Sequence, residues 1–189
     1  MKAFRIPFVF LSLVSSAAFA TDVDISLTND SAKGQVNFFE TTSDMQLGVG
    51  YTYHEGKLHI GNADFHAQGR TALGNLPTTA GLGFRAIAWD ADNQGDNGDG
   101  GGAVGLGGFA TVNIPDVPGL SFTGGLHYAP SILSFGDSED MTSLELRASY
   151  RVIRNAEVFG GYRYLNTDLE NLRDIHLDEG VVAGMKLFF

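Results

Sequence analysis

The chain has 189 residues, 12 Lys plus Arg against 22 Asp plus Glu, and no cysteine. The formal charge of −10 argues against the basic surfaces that meet nucleic-acid phosphates, and zero cysteine rules out disulfides, thiolate metal sites and cysteine nucleophiles. Twenty-five glycines, only five prolines and 11% aromatics describe an ordered chain built from strands.

The first twenty residues read as a secretory signal peptide. Lys2 and Arg5 form a positive start, Phe8 to Val14 is an apolar run too short to span a bilayer, and Ala18-Phe19-Ala20 fits the small-x-small cleavage rule. Cleavage before Thr21 removes both bases, leaves 10 basic against 22 acidic residues, and makes the mature charge −12. The domain that folds is then 21–189. Its lack of a long apolar run leaves periplasm, medium or an outer-membrane barrel as destinations.

From Val23 onward the chain alternates with period two, the signature of strands with one apolar face. Val23, Ile25 and Leu27 come first, then Val36 and Phe38, then Leu47, Val49, Tyr51 and Tyr53. Leu58 and Ile60 pass to Ala63, Phe65 and Ala67 through a one-residue slip near Gly61–Asn62, read as a bulge. Leu82 to Trp89, Val104 to Val112, Leu120 to Tyr128, Leu144 to Val152 and Val158 to Tyr164 follow. Val181, Ala183, Met185, Leu187 and Phe189 finish the chain. These ten runs match the length of tilted bilayer-spanning strands, about 9–11 residues.

The connections set the topology. Thr41–Asp44, Pro115–Gly119 and Ile153–Asn155 are tight, whereas Asp90–Gly102, Ser131–Asp140 and Asn166–Glu179 are long, polar and acidic. Short periplasmic turns alternating with long outer loops, with both termini periplasmic, is the parity of an outer-membrane barrel. Two connections fit this less well: His54–Lys57 is a short outer hairpin, and Gly69–Thr79 a long periplasmic one. The expected fold is all-β, an antiparallel transmembrane up-and-down β-barrel of about ten strands, with eight as the alternative. Its cell outer-membrane location follows. Inward glycines at 48, 50, 83, 105, 107, 161 and 184 are read as keeping a narrow interior from overfilling.

The last strand carries a further signal. Met185, Leu187 and Phe189 are apolar at alternate positions and end on an aromatic, resembling the recognition signal that the barrel assembly machinery reads on its substrates.

Three segments, Gly125–Ser131, Arg147–Arg154 and Val158–Asn166, together resemble the YfaZ family of Gram-negative outer-membrane proteins. The resemblance covers the second half, from about Leu120 to Phe189. It implies an outer-membrane barrel or porin whose activity is not defined, and it carries over no catalytic residue.

By parity Arg85, Glu145, Arg147, Arg151, Glu157, Arg163 and Lys186 point inward. They are read as a paired charge cluster filling the lumen, with Glu157 near Arg151 and Arg163 near Glu145. The alternative is a narrow porin-like channel with a basic wall. A general diffusion pore is excluded by size, since it needs about 16 strands. The loop Asp90–Gly100 places Asp90, Asp92, Asp96 and Asp99 among glycines as a candidate calcium site, without the closing Glu of an EF-hand. No other cofactor is expected. The acidic loops suggest divalent ions bridging to lipopolysaccharide, so outer-membrane lipid and lipopolysaccharide are the expected partners. Asp174, His176 and Asp178 cluster in sequence, with His54 and His127 elsewhere. An outer-membrane hydrolase is therefore a lesser alternative, but no nucleophile elbow or His-Glu-x-x-His motif is present, and the chain is expected not to be an enzyme.

Overall fold

The computed structural model describes residues 19–40, 44–55, 58–91, 99–169 and 173–189. Its strands are β1 (Phe19–Leu27), β2 (Ser31–Glu40), β3 (Met45–His54), β4 (Leu58–Leu73), β5 (Leu76–Ala91), β6 (Asp99–Asn113), β7 (Leu120–Ala129), β8 (Ser134–Gly136), β9 (Ser138–Ile153), β10 (Ala156–Leu169) and β11 (Arg173–Phe188). Every pairing is antiparallel, and with the three-residue β8 set aside, which rests on β6, each except β1 with β11 joins strands consecutive along the chain. Pairing of β1 with β11 and of β5 with β6 joins the ends of the sheet, so ten strands close into an up-and-down barrel. Closure leaves no unpaired sheet edge. The first hairpin is part of the wall, which sets aside the eight-strand alternative.

Alternation places polar residues inside and apolar residues outside. On β1, Asp22, Asp24 and Ser26 are buried while Ile25 and Leu27 are exposed. On β3, Thr52 is buried while Leu47, Val49, Tyr51 and Tyr53 are exposed. Two ends of the barrel differ. At the turn end lie both ends of the described chain and the connections after β2, β4, β6 and β9; at the loop end lie the connections after β1, β3, β5, β7 and β10.

Three expectations change. Gly69–Thr79 is not a loop: β4 and β5 each run for 16 residues and meet at Gly74–Asn75. Gly74 takes φ +63°, which a glycine adopts without a Cβ penalty. Polar Gln68, Arg70 and Thr71 had broken the apolar pattern there, although cross-strand bonding continues. The slip near Gly61–Asn62 is also absent, because β4 keeps unbroken register with both β3 and β5. Ile60 instead faces inward with Asn62 and Asp64. At the loop end, the segments read as long loops are mostly strand, since β10 reaches Leu169 and β9 starts at Ser138.

The inward glycines serve two purposes. A Cβ on Gly48 would stand 2.7 Å from the Asn37 carboxamide, so that glycine does make room for side chains. A Cβ on Gly83 or Gly107 would run into the backbone of the neighbouring strand. These two allow strands to approach at a crease in the wall, which volume alone does not explain.

Candidate functional site

The lumen holds two chemically distinct layers. Toward the loop end, Ile60, Ile87, Trp89, Ala103, Ala129, Met141, Leu165 and Leu177 form one buried apolar cluster from seven strands. None is more than 6% exposed. Trp89 anchors its polar edge by donating Nε1–H to Ser138 Oγ at 2.9 Å, as a buried indole requires.

Below this cluster lies a belt of ion pairs. Arg85 donates Nε–H to Asp64 Oδ1 at 2.6 Å, and Asp64 also accepts from Gln35 and Asn62 at 3.0 Å each. Arg147 bridges Asp24 on β1 and Glu145 on its own strand. Arg163 pairs with Asp178 at 2.9 Å and donates to Ser26 Oγ at 2.7 Å, while Ser31 donates to the other Asp178 oxygen. Lys33 is buried in the field of Glu145 and Asp64. These multiple partners are what makes buried charge tolerable.

The two layers meet at a bulge. β10 and β11 shift register between Leu165↔Asp178 and Asn166↔His176, so Leu177 is the extra residue. Consecutive Leu177 and Asp178 are therefore both buried. One enters the apolar cluster and the next enters the belt.

On the turn side the belt floors a cavity of about 390 Å³. Its deep lining includes Asp24, Asp64, Arg85, Glu145, Arg147, His66 and His127, and its mouth includes Arg151, Glu157, Lys186 and Phe188. The mouth pairs are looser. Arg151–Glu157 and Lys186–Asp22 each stand at 3.9 Å, and the Arg151 side chain is 51% exposed.

All seven charged residues singled out by parity line this interior or its mouth, or are buried within it. Arg163 is opposite Glu145 in register, but its ion partner is Asp178. Sequence reasoning missed Asp22, Asp24, Lys33, Asp64 and Asp178. The first four sit on strands whose apolar positions were assigned outward, so the same parity would have found them. Asp178 falls in the segment read as a loop, but it shares the parity of Val182, Gly184 and Lys186; the bulge explains instead the burial of its neighbour Leu177. With these five included, the described residues of the interior count six acids (22, 24, 64, 145, 157, 178) and six bases (33, 85, 147, 151, 163, 186). Among the described residues these interior charges cancel.

The remaining candidates separate. Asp90 is at the end of β5, but Asp92 and Asp96 lie outside the described residues, as does the Asp99 side chain. Among the described residues, no three His, Cys, Asp or Glu side chains converge as a metal site. His176 is exposed and faces Glu179 at 3.2 Å, whereas Asp178 points into the lumen, so the bulge divides that sequence cluster. Met185 pairs with Ile25 and Leu187 with Val23, and Phe189 donates its backbone N–H to Thr21 at 2.9 Å. The last strand thus closes the barrel against the first.

Fold and interior together define a small ten-stranded β-barrel with an apolar outer wall and an ion-paired lumen. A model of the family described as YfaZ precursor matches residues 1–189, and the chain belongs to that family. The match covers the first half as well as the second. No curated protein matches the chain.

Proposed function

We propose that this chain is a small outer-membrane barrel with a structural or envelope-interacting role, a plugged lumen and no catalytic activity. Its outer wall favours that location. Leu47, Val49, Leu82, Leu106, Leu126, Leu146 and Val181 are all exposed large apolar side chains. A continuous apolar belt suits acyl chains, and a closed sheet satisfies its own backbone polar groups there. Tyrosines at 51, 53, 128, 150 and 162 suit the interfacial girdles. A precursor family fits export, with the leader removed after Ala20.

The observation that carries the plugged reading is the apolar cluster across the loop end of the lumen, backed by the neutral belt. Hydrated ions would have to cross both layers. The acidic loop-end residues, including Asp137, Asp140 and Glu179, favour divalent cations that bridge to lipopolysaccharide phosphates. The terminal strand suits recognition by the barrel assembly machinery. The narrow-channel alternative draws on the cavity open at the turn end, and it requires the apolar cluster to move aside.

Conductance separates the two readings. Purified protein, shown to be folded by heat-modifiable gel migration, is added to planar bilayers. The plugged barrel gives no steady conductance. Reproducible single-channel steps from wild-type protein would overturn that reading, and recovery only from soluble fractions would overturn the membrane reading.

A further inference from the structure

His66 on β4 and His127 on β7 meet inside the lumen, Nε2 to Nε2 at 2.8 Å. Two strands lie between them. The intervening positions of that cross-strand row are Gly83 on β5 and Gly107 on β6. No side chain rises between the rings, and the crease in the wall brings them within reach. Their centroids are 5.0 Å apart, so the two nitrogens lie close to the line joining the rings. That is the geometry of one N–H···N hydrogen bond, in which one ring carries hydrogen on Nε2 and the other does not.

The pair has little other support. The two residues are 3% and 2% exposed, and each Nδ1 is buried with no hydrogen-bond partner. Phe109 of β6 packs edge-on against His66. The charged groups facing the pair are Asp64 on β4, Arg85 on β5 and Glu145 on β9. Asp64 is already engaged by Arg85, Gln35 and Asn62, and Glu145 by Arg147.

We propose that His66 and His127 form a proton-operated latch, closed when the rings share one hydrogen and opened by proton uptake from the turn-end cavity. A further proton has two places to go. On the accepting Nε2 it would set two N–H groups against each other. On the free Nδ1 of the donating ring it would place a charge at a buried nitrogen with no acceptor, near the Arg85 guanidinium. The first breaks the bond outright. The second keeps the N–H···N contact, now charge-assisted, but leaves its charge unsolvated, so the pair opens where the cost of that buried charge exceeds the strengthened bond and the rings turn toward water. Both residues already line the cavity, so the path is short. Because the bond ties β4 to β7 over two glycines, its release loosens the wall at the crease and reshapes the cavity floor. The latch rests on the barrel and not on the plugged reading.

The test uses the folded protein in detergent micelles, with heat-modifiable migration confirming the fold. Imidazole ¹⁵N spectra are recorded from about pH 8 to about pH 3, a range that spans the ordinary histidine transition and extends well below it. His66 and His127 are expected to give one donor and one acceptor Nε2 signal at the upper end and to change together. The chain has no cysteine, so Gln68→Cys gives a unique fluorophore position at the cavity wall beside His66. Its emission is expected to shift with acidification in the wild-type background and to stay flat with His66→Gln plus His127→Gln. Independent titration of the two rings would overturn the latch, as would an equal emission shift in the double variant. If the double variant does not fold, the wild-type spectra alone decide.

Discussion

The two layers of the lumen solve the same problem with opposite chemistry. At the loop end the interior is filled by a buried apolar cluster. In the belt the wall separates apolar from ionic. An apolar layer is held by packing and fails by leaving a cavity. An ionic layer is held by pairing and fails by stranding a charge. The bulge at Leu177 supplies one residue to each, so a single irregularity sets where one chemistry gives way to the other.

The sharpest way to break the belt is Arg147→Ala. It strands Asp24 and Glu145 together, both largely buried. We expect a loss of about 3–5 kcal/mol, read as a fall in the denaturant midpoint of the folded gel band. Conductance should stay absent in whatever folds, because the apolar layer is intact. A loss below about 1 kcal/mol would mean that the belt relaxes around the vacancy and is not a pairing network.

Breaking the other layer calls for Trp89→Ala. The indole is 4% exposed and lies inside the cluster. Truncation should cost about 3 kcal/mol. It should also give intermittent conductance that wild-type protein lacks, because the missing ring opens the loop end. A destabilised but silent variant would move the barrier from the apolar cluster to the belt.

Much of this contrast was readable in the chain, and the unread part has physical causes. Period-two alternation carried the strand count, both termini at one end, and the inward side of Arg85, Glu145, Arg147 and Arg163. It works because every wall strand has one face turned to each environment. It failed at Leu58–Ile60, where an apolar interior removes the contrast between faces and mimics a slip. It also failed at Leu177, because a bulge changes parity without a sequence marker, and it stopped short of Asp178, because β11 runs well beyond the apolar pattern that begins at Val181. Polar partners were out of reach for a further reason. Arg147–Asp24 and Arg163–Ser26 join residues at opposite ends of the chain, and only closure of β1 on β11 brings them together. His66 and His127 were beyond reach in the same way, being linked across two intervening strands.

The smallest expected effect tests whether the belt weakens toward its mouth. Arg151 stands 3.9 Å from Glu157, with half of its side chain in solvent, and its guanidinium lies over the Phe188 ring at 4.8 Å. Water can take over the charge of either partner when the other is removed, so stranding costs little here. Arg151→Ala should therefore lower stability by less than about 1 kcal/mol, from the ion pair and the ring contact together. Salt distinguishes this mouth pair from the deep ones. At about 0.01 M ionic strength the screening length is roughly 30 Å, and at about 1 M it falls to roughly 3 Å. The difference between wild-type and Arg151→Ala should shrink over that range, while the Arg147→Ala difference should hold, because deep pairs are shielded from mobile ions. Equal salt dependence of the two variants would show that ions reach the belt as readily as the mouth, and the proposed closed interior would then be open to solvent.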